Sequence, residues 1–375
     1  MCQETNLLCY NVFMKKTLHL EIIRILAILC IMFIHTGFWG HDAYSCTDSR
    51  ITFTISLLLA CVSAIGVDLF WMVSGSLLLG IDEDISVVYK RRLPRILIVL
   101  AVFSVIRYFY DFYMEDFGAG VYWSRVYGDN AGTGLLHIGL GDFAKKFISG
   151  NIYLPYWFLY YYIGILLLLP FMRRTIKGMN AVEWKFLVIF EFFFLVIVSL
   201  FEPIIHTRFG IPFYIPEAVN AFVLGYAAEK VVPADWIKKR ENMFLLFFAS
   251  VFFVAVEYSF SINFGNPIGD GRNVFTDAFK QPLAFCVVLI IRGISLRIQK
   301  YPKKLYKMIC LVGSCTFGLY LVEEYLRHIL FFIYEAFLPV VTVIPACIIW
   351  IVCSFIVGIP IVLVLKKLPL IGKLI

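Results

Sequence analysis

Charge is what this chain has least of. Only 16% of its 375 residues are Asp, Glu, Lys or Arg, where a soluble domain carries about a quarter. Together with 61% hydrophobic residues, that balance excludes a water-shielded globule with one core and leaves a polytopic membrane protein whose apolar side chains face lipid. The formal charge of +7 is modest, so no nucleic-acid partner is expected and the placement of the cations matters more than their number. Metal-binding patterns are missing as well. The ten cysteines lie mostly inside apolar stretches, as Cys30, Cys61, Cys286, Cys347 and Cys353 do. No CxxC and no Cys/His ligand spacing occurs, so no metal site is expected. Cys46 is alone in the outer loops, which argues against a disulfide framework. There is no Walker, Rossmann or GxSxG element, no internal repeat and no appended soluble domain, and no bound cofactor is expected.

A cleavable signal peptide is also lacking, because the first apolar stretch is long enough to span and carries an arginine, as an uncleaved signal-anchor does. Residues 1–13 differ in character from the rest of the chain, and Met14 before two lysines reads as the natural start. What is present is a series of ten apolar segments, near 18–38, 53–80, 95–113, 154–172, 186–202, 211–228, 243–260, 278–296, 308–334 and 338–365. The second and ninth are long enough to bend or break. With the N-terminus inside, the inner segments hold 23 of the 33 Lys and Arg residues and the outer loops seven, with Arg24, Arg107 and Arg327 inside spans. The expected fold is therefore all-α, with about ten transmembrane helices and both termini cytoplasmic. Residues 1–17 form a cytoplasmic segment, 18–366 the membrane domain and 367–375 a cytoplasmic tail. The longest outer loop, about 114–153, contains the amphipathic piece His137–Ile148 and reads either as a wall of a binding site or as a variable surface loop.

The first span, Leu18–Phe38, organises the rest. Glu21, Arg24 and His35 lie inside it, and ionisable groups within a span are candidates for function. Arg24 and His35 are eleven residues apart, which on a helix brings both to one face about 16 Å apart along the axis. A snorkelling arginine and a histidine satisfied by a neighbouring helix fit the same spacing. In the second span Asp68 is flanked by apolar residues at a depth comparable to His35, where a carboxylate would fix an imidazole's tautomer and raise its basicity. Equally, it could cap a helix starting after Gly66, with Ser74 and Gly75 as small packing residues. Arg91, Arg92 and Arg95 surround Pro94 at the start of the third span, either as a phosphate site at a helix N-terminus or as positive-inside anchoring. Trp157 and Tyr160 could line a groove for a sugar ring or belong to an interfacial belt. In the ninth span Glu323–Arg327 and Glu324–His328 are i,i+4 pairs that could neutralise each other.

LEIIRILAILCIMFIH, with Leu20–Glu21, Arg24 and His35, resembles the opening helix of the acyltransferase-3 family of membrane acyltransferases, where an arginine, ten residues and a histidine follow a Leu-Asp/Glu pair. GVDLFWMVSG closely resembles the family's second motif and carries Asp68. YKRRLPRIL resembles the arginine motif that in the family is implicated in handling coenzyme A. Leu154–Arg174 is similar to its Trp-Phe-Leu span, FVLGYAAEK to its Phe-x-x-Gly-Tyr segment, whose glycine reads as packing, and SCTFGLYL to its late motif. That motif usually continues into a histidine, and Glu323 stands there instead, which puts a second catalytic histidine in doubt.

The resemblance implies an acyltransferase of the bacterial inner or plasma membrane. It implies acetyl-CoA or another acyl-CoA as co-substrate and a hydroxyl of a cell-surface glycan, or of its lipid-linked precursor, as acceptor. His35 would be the base or a transient acyl carrier, and Asp68 would orient it. Arg24, Arg91, Arg92 and Arg95 would hold the donor, while Trp157, Tyr160 and Glu323 would line the acceptor groove. The rival reading is a transporter of a glycan or small anion with His35 and Asp68 as a proton relay. Transporters often carry inverted repeats, and none is seen here. A structural scaffold would leave the intramembrane charges unexplained.

Overall fold

A computed structural model of the chain describes residues 2–116, 139–205, 216–264, 278–298, 301–369 and 371–375. It is 84% helical, and no strand occurs among the described residues. We number the helices α1 (Cys2–Ile34), α2 (Arg50–Ser63), α3 (Gly66–Leu78), α4 (Leu93–Asp116), α5 (Leu140–Ile148), α6 (Trp157–Gly178), α7 (Ala181–Ile205), α8 (Glu217–Tyr226), α9 (Ala234–Lys238), α10 (Arg240–Phe264), α11 (Lys280–Arg297), α12 (Lys303–Ile329), α13 (Phe331–Phe337) and α14 (Val343–Leu365). Among the described residues, six helical stretches are long and apolar enough to cross a membrane: Arg50–Leu78, Ile85–Asp111, Leu154–Gly178, Arg240–Asn263, Lys303–Ile329 and Val343–Leu365. The other four apolar segments of the sequence fall on α1, α7, α8 and α11, and part of the 211–228 segment lies outside the described residues.

The central helix is α1. Leu18, Ile23, Ala27, Ile28 and Met32 are fully buried, and the helix packs against α3, α11 and α12. By contrast, α10 buries little and shows Phe244, Phe247 and Phe252 outward, as a lipid-facing helix should. The tightest crossing joins α3 to α8. A Cβ added to Gly75 would lie 1.7 Å from the Phe222 carbonyl oxygen, and one on Gly225 would lie 1.9 Å from that of Met72. With no side chain at either point the two backbones touch, and Ser76 Oγ donates to the Gly225 and Met72 carbonyls at 2.8 Å each. The glycine of FVLGYAAEK is thus a packing residue, as its sequence suggests.

Both long segments break. The second turns at Ala64–Ile65 between α2 and α3, and the ninth ends α12 at Ile329 before α13 begins. Around Pro94 the structure corrects the sequence. That proline does not open the third span: the helical run starts at Ile85, capped by Asp84, whose carboxylate accepts from Ser86 N at 2.7 Å. A wide π-type turn over Val88–Arg92 leads into α4. Proline has no N–H to give and clashes with the carbonyl four residues back, and a wider turn relieves both problems without ending the helix. Of the longest outer loop, α5 is described; residues 117–138 lie outside the described part. Leu140 and Ile148 are exposed on α5, and Asp142 ties it to α4 through Tyr108 Oη at 2.9 Å.

Candidate active site

His35 is the first residue past the end of α1, its N–H still bonded to Ile31 O at 3.0 Å. The chain beyond it is pinned locally. Gly37 takes φ +51°, a left-handed turn suited to glycine. Thr36 Oγ1 donates to Phe33 O at 2.6 Å and accepts from His41 N at 3.0 Å. Ser56 Oγ on α2 donates to the carbonyl oxygens of Gly40 and His41. A histidine held between a helix end and a fixed turn keeps one orientation.

The partner of that histidine is Glu323. His35 Nδ1 lies 2.5 Å from Glu323 Oε1, with the imidazole side chain 16% exposed and the carboxylate 1%. Glu323 Oε2 in turn accepts from Arg327 Nε at 2.5 Å. Arg327 is completely buried, pairs with Glu324 as well, and donates from Nη1 to the His35 carbonyl at 2.6 Å. Trp350 closes the far side, its Nε1 donating to Arg327 O at 2.9 Å and its ring 5.7 Å from the guanidinium. The cluster has two carboxylates and one guanidinium, so a proton arriving on His35 makes it electrically neutral. Nε2 of His35 has no protein partner among the described residues.

Asp68 lies at a similar level but elsewhere. Gly66 packs against Ala27, Cys30 and Ile31 of α1, which sets the first turn of α3 about one helical turn from His35. Asp68 is buried in that first turn and accepts from Gln281 Nε2 at 3.1 Å. Gln281 also donates to Glu217 O at 2.8 Å and accepts from Asn220 Nδ2 at 2.8 Å. Asp68 thus belongs to a network joining α3, α8 and α11, and the carboxylate found against the imidazole is that of Glu323.

The arginines expected to hold a donor lie at the opposite end, Arg24, Arg92 and Arg95 each with its own partner. Arg24 Nη1 donates to Glu21 Oε1 at 2.6 Å, and Glu21 lies against Gly313 of α12, where a Cβ would meet its Oε2 at 2.2 Å. Arg91 and Arg95 are exposed, and Arg95 Nε donates to Leu374 O at 3.1 Å. Arg92 forks onto Glu83 at 2.9 to 3.2 Å, and Arg173 Nη2 reaches the same carboxylate at 2.9 Å while its Nε donates to Leu78 O. The Arg92 hydrogen bonds, aided by Arg173, hold the Glu83 carboxyl below its usual range. Arg173 Nη1 is buried without a hydrogen-bond partner. Neither Glu83, in the polar run Asp82–Asp84, nor Arg173, one of several inner cations, stands out in sequence.

Of the other expected residues, Trp157 is exposed and makes edge contact with Tyr161, which fits an interfacial belt. Tyr160 donates to Phe147 O and so fastens α5 to α6. Glu324 pairs with Arg327, and His328 Nδ1 meets Tyr110 Oη at 2.5 Å, so the foreseen Glu324–His328 pair is replaced by two others. A group that sequence reasoning passed over lies alongside: buried Arg107 stacks 3.9 Å above the Tyr153 ring, forms an ion pair with Asp111 at 2.7 Å and neighbours Tyr110 and Tyr325. Its only sequence signal was an arginine inside a span.

A bundle of apolar helices with an imidazole–carboxylate pair at one end and arginines at the other is the architecture of a membrane protein. The chain belongs to the acyltransferase-3 family, whose model, described as an acyltransferase domain, matches residues 18–364, nearly the whole chain. It is a membrane acyltransferase. No curated protein and no solved structure matches it.

Proposed function

We propose that this protein is an acyl-CoA-dependent O-acyltransferase of the cell membrane. In this reading it has ten spans with both termini in the cytoplasm, moves an acetyl group from acetyl-CoA, and acts on a hydroxyl of a cell-surface glycan or its lipid-linked precursor. The observation that carries the reading is the 2.5 Å contact of His35 Nδ1 with Glu323, which leaves Nε2 open at the end of α1. Nε2 accepts the acceptor's hydroxyl proton as the oxygen attacks the thioester carbonyl carbon. Glu323 balances the imidazolium. The C–S bond then breaks, the leaving thiolate takes the proton from Nε2, and an ester and free CoA result. Arg24, Arg91, Arg92 and Arg95 receive the donor's phosphates, Arg92 from a fork on Glu83 that Arg173 shares. Asp68 supports the site through Gln281. Charge placement in the sequence and the family match support the topology and the chemistry.

The experiment compares surface glycans by mass spectrometry in a deletion strain complemented with the parent or with His35→Ala. Acylation restored by the parent and absent with a normally inserted His35→Ala protein is expected. Restoration by the variant above about a tenth of the parent level refutes the chemical role of His35, since general bases contribute roughly 10²–10⁴-fold. Thermal stabilisation of the purified protein by CoA separates this reading from the transporter.

A further inference from the structure

On the flank away from His35 a cavity of about 480 Å³ opens between α10 and α11, lined by Arg240, Met243, Phe244, Phe247, Ile290 and Arg297. Its floor is apolar, and Phe244 and Phe247 are 62% and 55% exposed, so the groove runs along a surface that lipid chains cover. Its two cations mark one end of the helix pair: Arg240 begins α10 and Arg297 ends α11. Arg297 is fixed in place, since Nε and Nη2 both donate to the Lys238 carbonyl, at 3.2 and 2.7 Å. That leaves Nη1 for another acceptor. Among the described residues no carboxylate forms an ion pair with Arg240 or Arg297.

We infer that this groove binds an anionic phospholipid, its acyl chain along Phe244, Phe247 and Ile290 and its phosphate at the two guanidiniums. The charge complement decides the occupant. A zwitterionic lipid brings its own cation to the same place, whereas a phosphate with no cation beside it gains two charge-assisted contacts at the polar end of the bilayer. Pre-fixing Arg297 reduces the ordering cost of the contact. The inference uses no part of the acyl-transfer reading, and no residue in it touches the His35 site.

The test uses the full-length protein in detergent micelles, mixed with equimolar dioleoyl phosphatidylglycerol and dioleoyl phosphatidylcholine, with retained lipid counted by native mass spectrometry. The parent is expected to retain the glycerol lipid about tenfold or more over the choline lipid, and Arg240→Gln/Arg297→Gln to lose that preference. Equal retention by the parent, or a preference that survives the double variant, overturns the inference. Displacement of the lipid by equimolar glycerol 3-phosphate also overturns it, because the apolar groove would then contribute nothing. Arg240→Gln alone, at an exposed residue, carries the same test if the double variant does not fold.

Discussion

Replacing Glu323 by Gln keeps the shape of the side chain and removes its charge. With the parent residue, a proton on His35 brings the buried cluster of Glu323, Glu324, Arg327 and His35 to neutrality; with Gln at 323, the same proton leaves it at plus one. The lost attraction can be sized. Opposite charges about 4 Å apart at an effective dielectric near 20 attract by about 4 kcal/mol. At about 1.4 kcal/mol per decade that is close to three powers of ten in the rate of a step that forms an imidazolium. The carboxylate is 1% exposed and the imidazole 16%, which limits screening by water. Glu323→Gln is therefore expected to lower kcat for acyl transfer by about 10³ and to leave the KM for the acyl donor unchanged, since donor phosphates do not meet Glu323. Arg327 keeps Glu324 as partner, so the variant still folds. The assay is transfer of label from acetyl-CoA in membranes, at matched protein level, over a range of pH. A variant with more than a tenth of the parent kcat, or one whose donor KM rises while kcat holds, refutes the assignment of Glu323 to His35.

Asp68→Asn is expected to stay within about tenfold of parent kcat, because the amide oxygen still accepts from Gln281; a loss matching Glu323→Gln would return the orienting role to Asp68. Gly225→Ala drives a Cβ into the Met72 carbonyl and is expected to cost about 1–3 kcal/mol or prevent folding, while Gly164→Ala, with nothing within 4 Å, is expected to be neutral or slightly stabilising in thermal unfolding. The Glu83 carboxyl is held below its ordinary value of 4.5 by Arg92. Its stabilisation is therefore complete above that value and lost as pH falls through the lower folded value, so melting temperature should drop in acid, and by less in Glu83→Gln. Arg92→Lys and Arg95→Lys are expected to weaken acyl-CoA binding by calorimetry and to leave the accessibility of Cys46 unchanged; donor binding at parent strength in both would reduce the cluster to an anchor.

Range along the chain decides how much of this was legible in sequence. The Arg24–His35 stripe, the packing role of Gly225, the break in the second segment and the Glu323–Arg327 pair all depend on local spacing, where helix periodicity and small residues decide the outcome. The partner of His35 is 288 residues away, and no local rule chooses between Asp68 and Glu323 when both are carboxylates buried among apolar neighbours. The arrangement comes from packing: α1 lies against both α3 and α12, with Glu323 of α12 meeting His35 and Asp68 of α3 accepting from Gln281 of α11. Arg92 is a similar case. Its spacing from Arg91 and Arg95 is readable, whereas the fork it shares with Arg173 on Glu83 requires α6 to come alongside the turn after α3. The proline beside it misled for a local reason, since a π-type turn is a solution that the usual first-turn preference of proline does not announce.

The substitution that looked like a defect in the late motif acquires a physical meaning from this geometry. A histidine at position 323 would leave Glu324 and Arg327 as a balanced pair, and His35 would then face a second imidazole with no net charge to draw a proton toward it. The glutamate adds one negative charge at the Nδ1 edge of His35 and, through Oε2, uses Arg327 to keep that charge from being left alone in a dry interior. Arg327 then ties the pair back to the main chain of His35 itself. Orientation of the imidazole, compensation of its charge and anchoring of the turn that carries it thus converge on a single guanidinium. Glu323, where the resemblance leads one to expect a histidine, is thus the residue that brings a negative charge to His35.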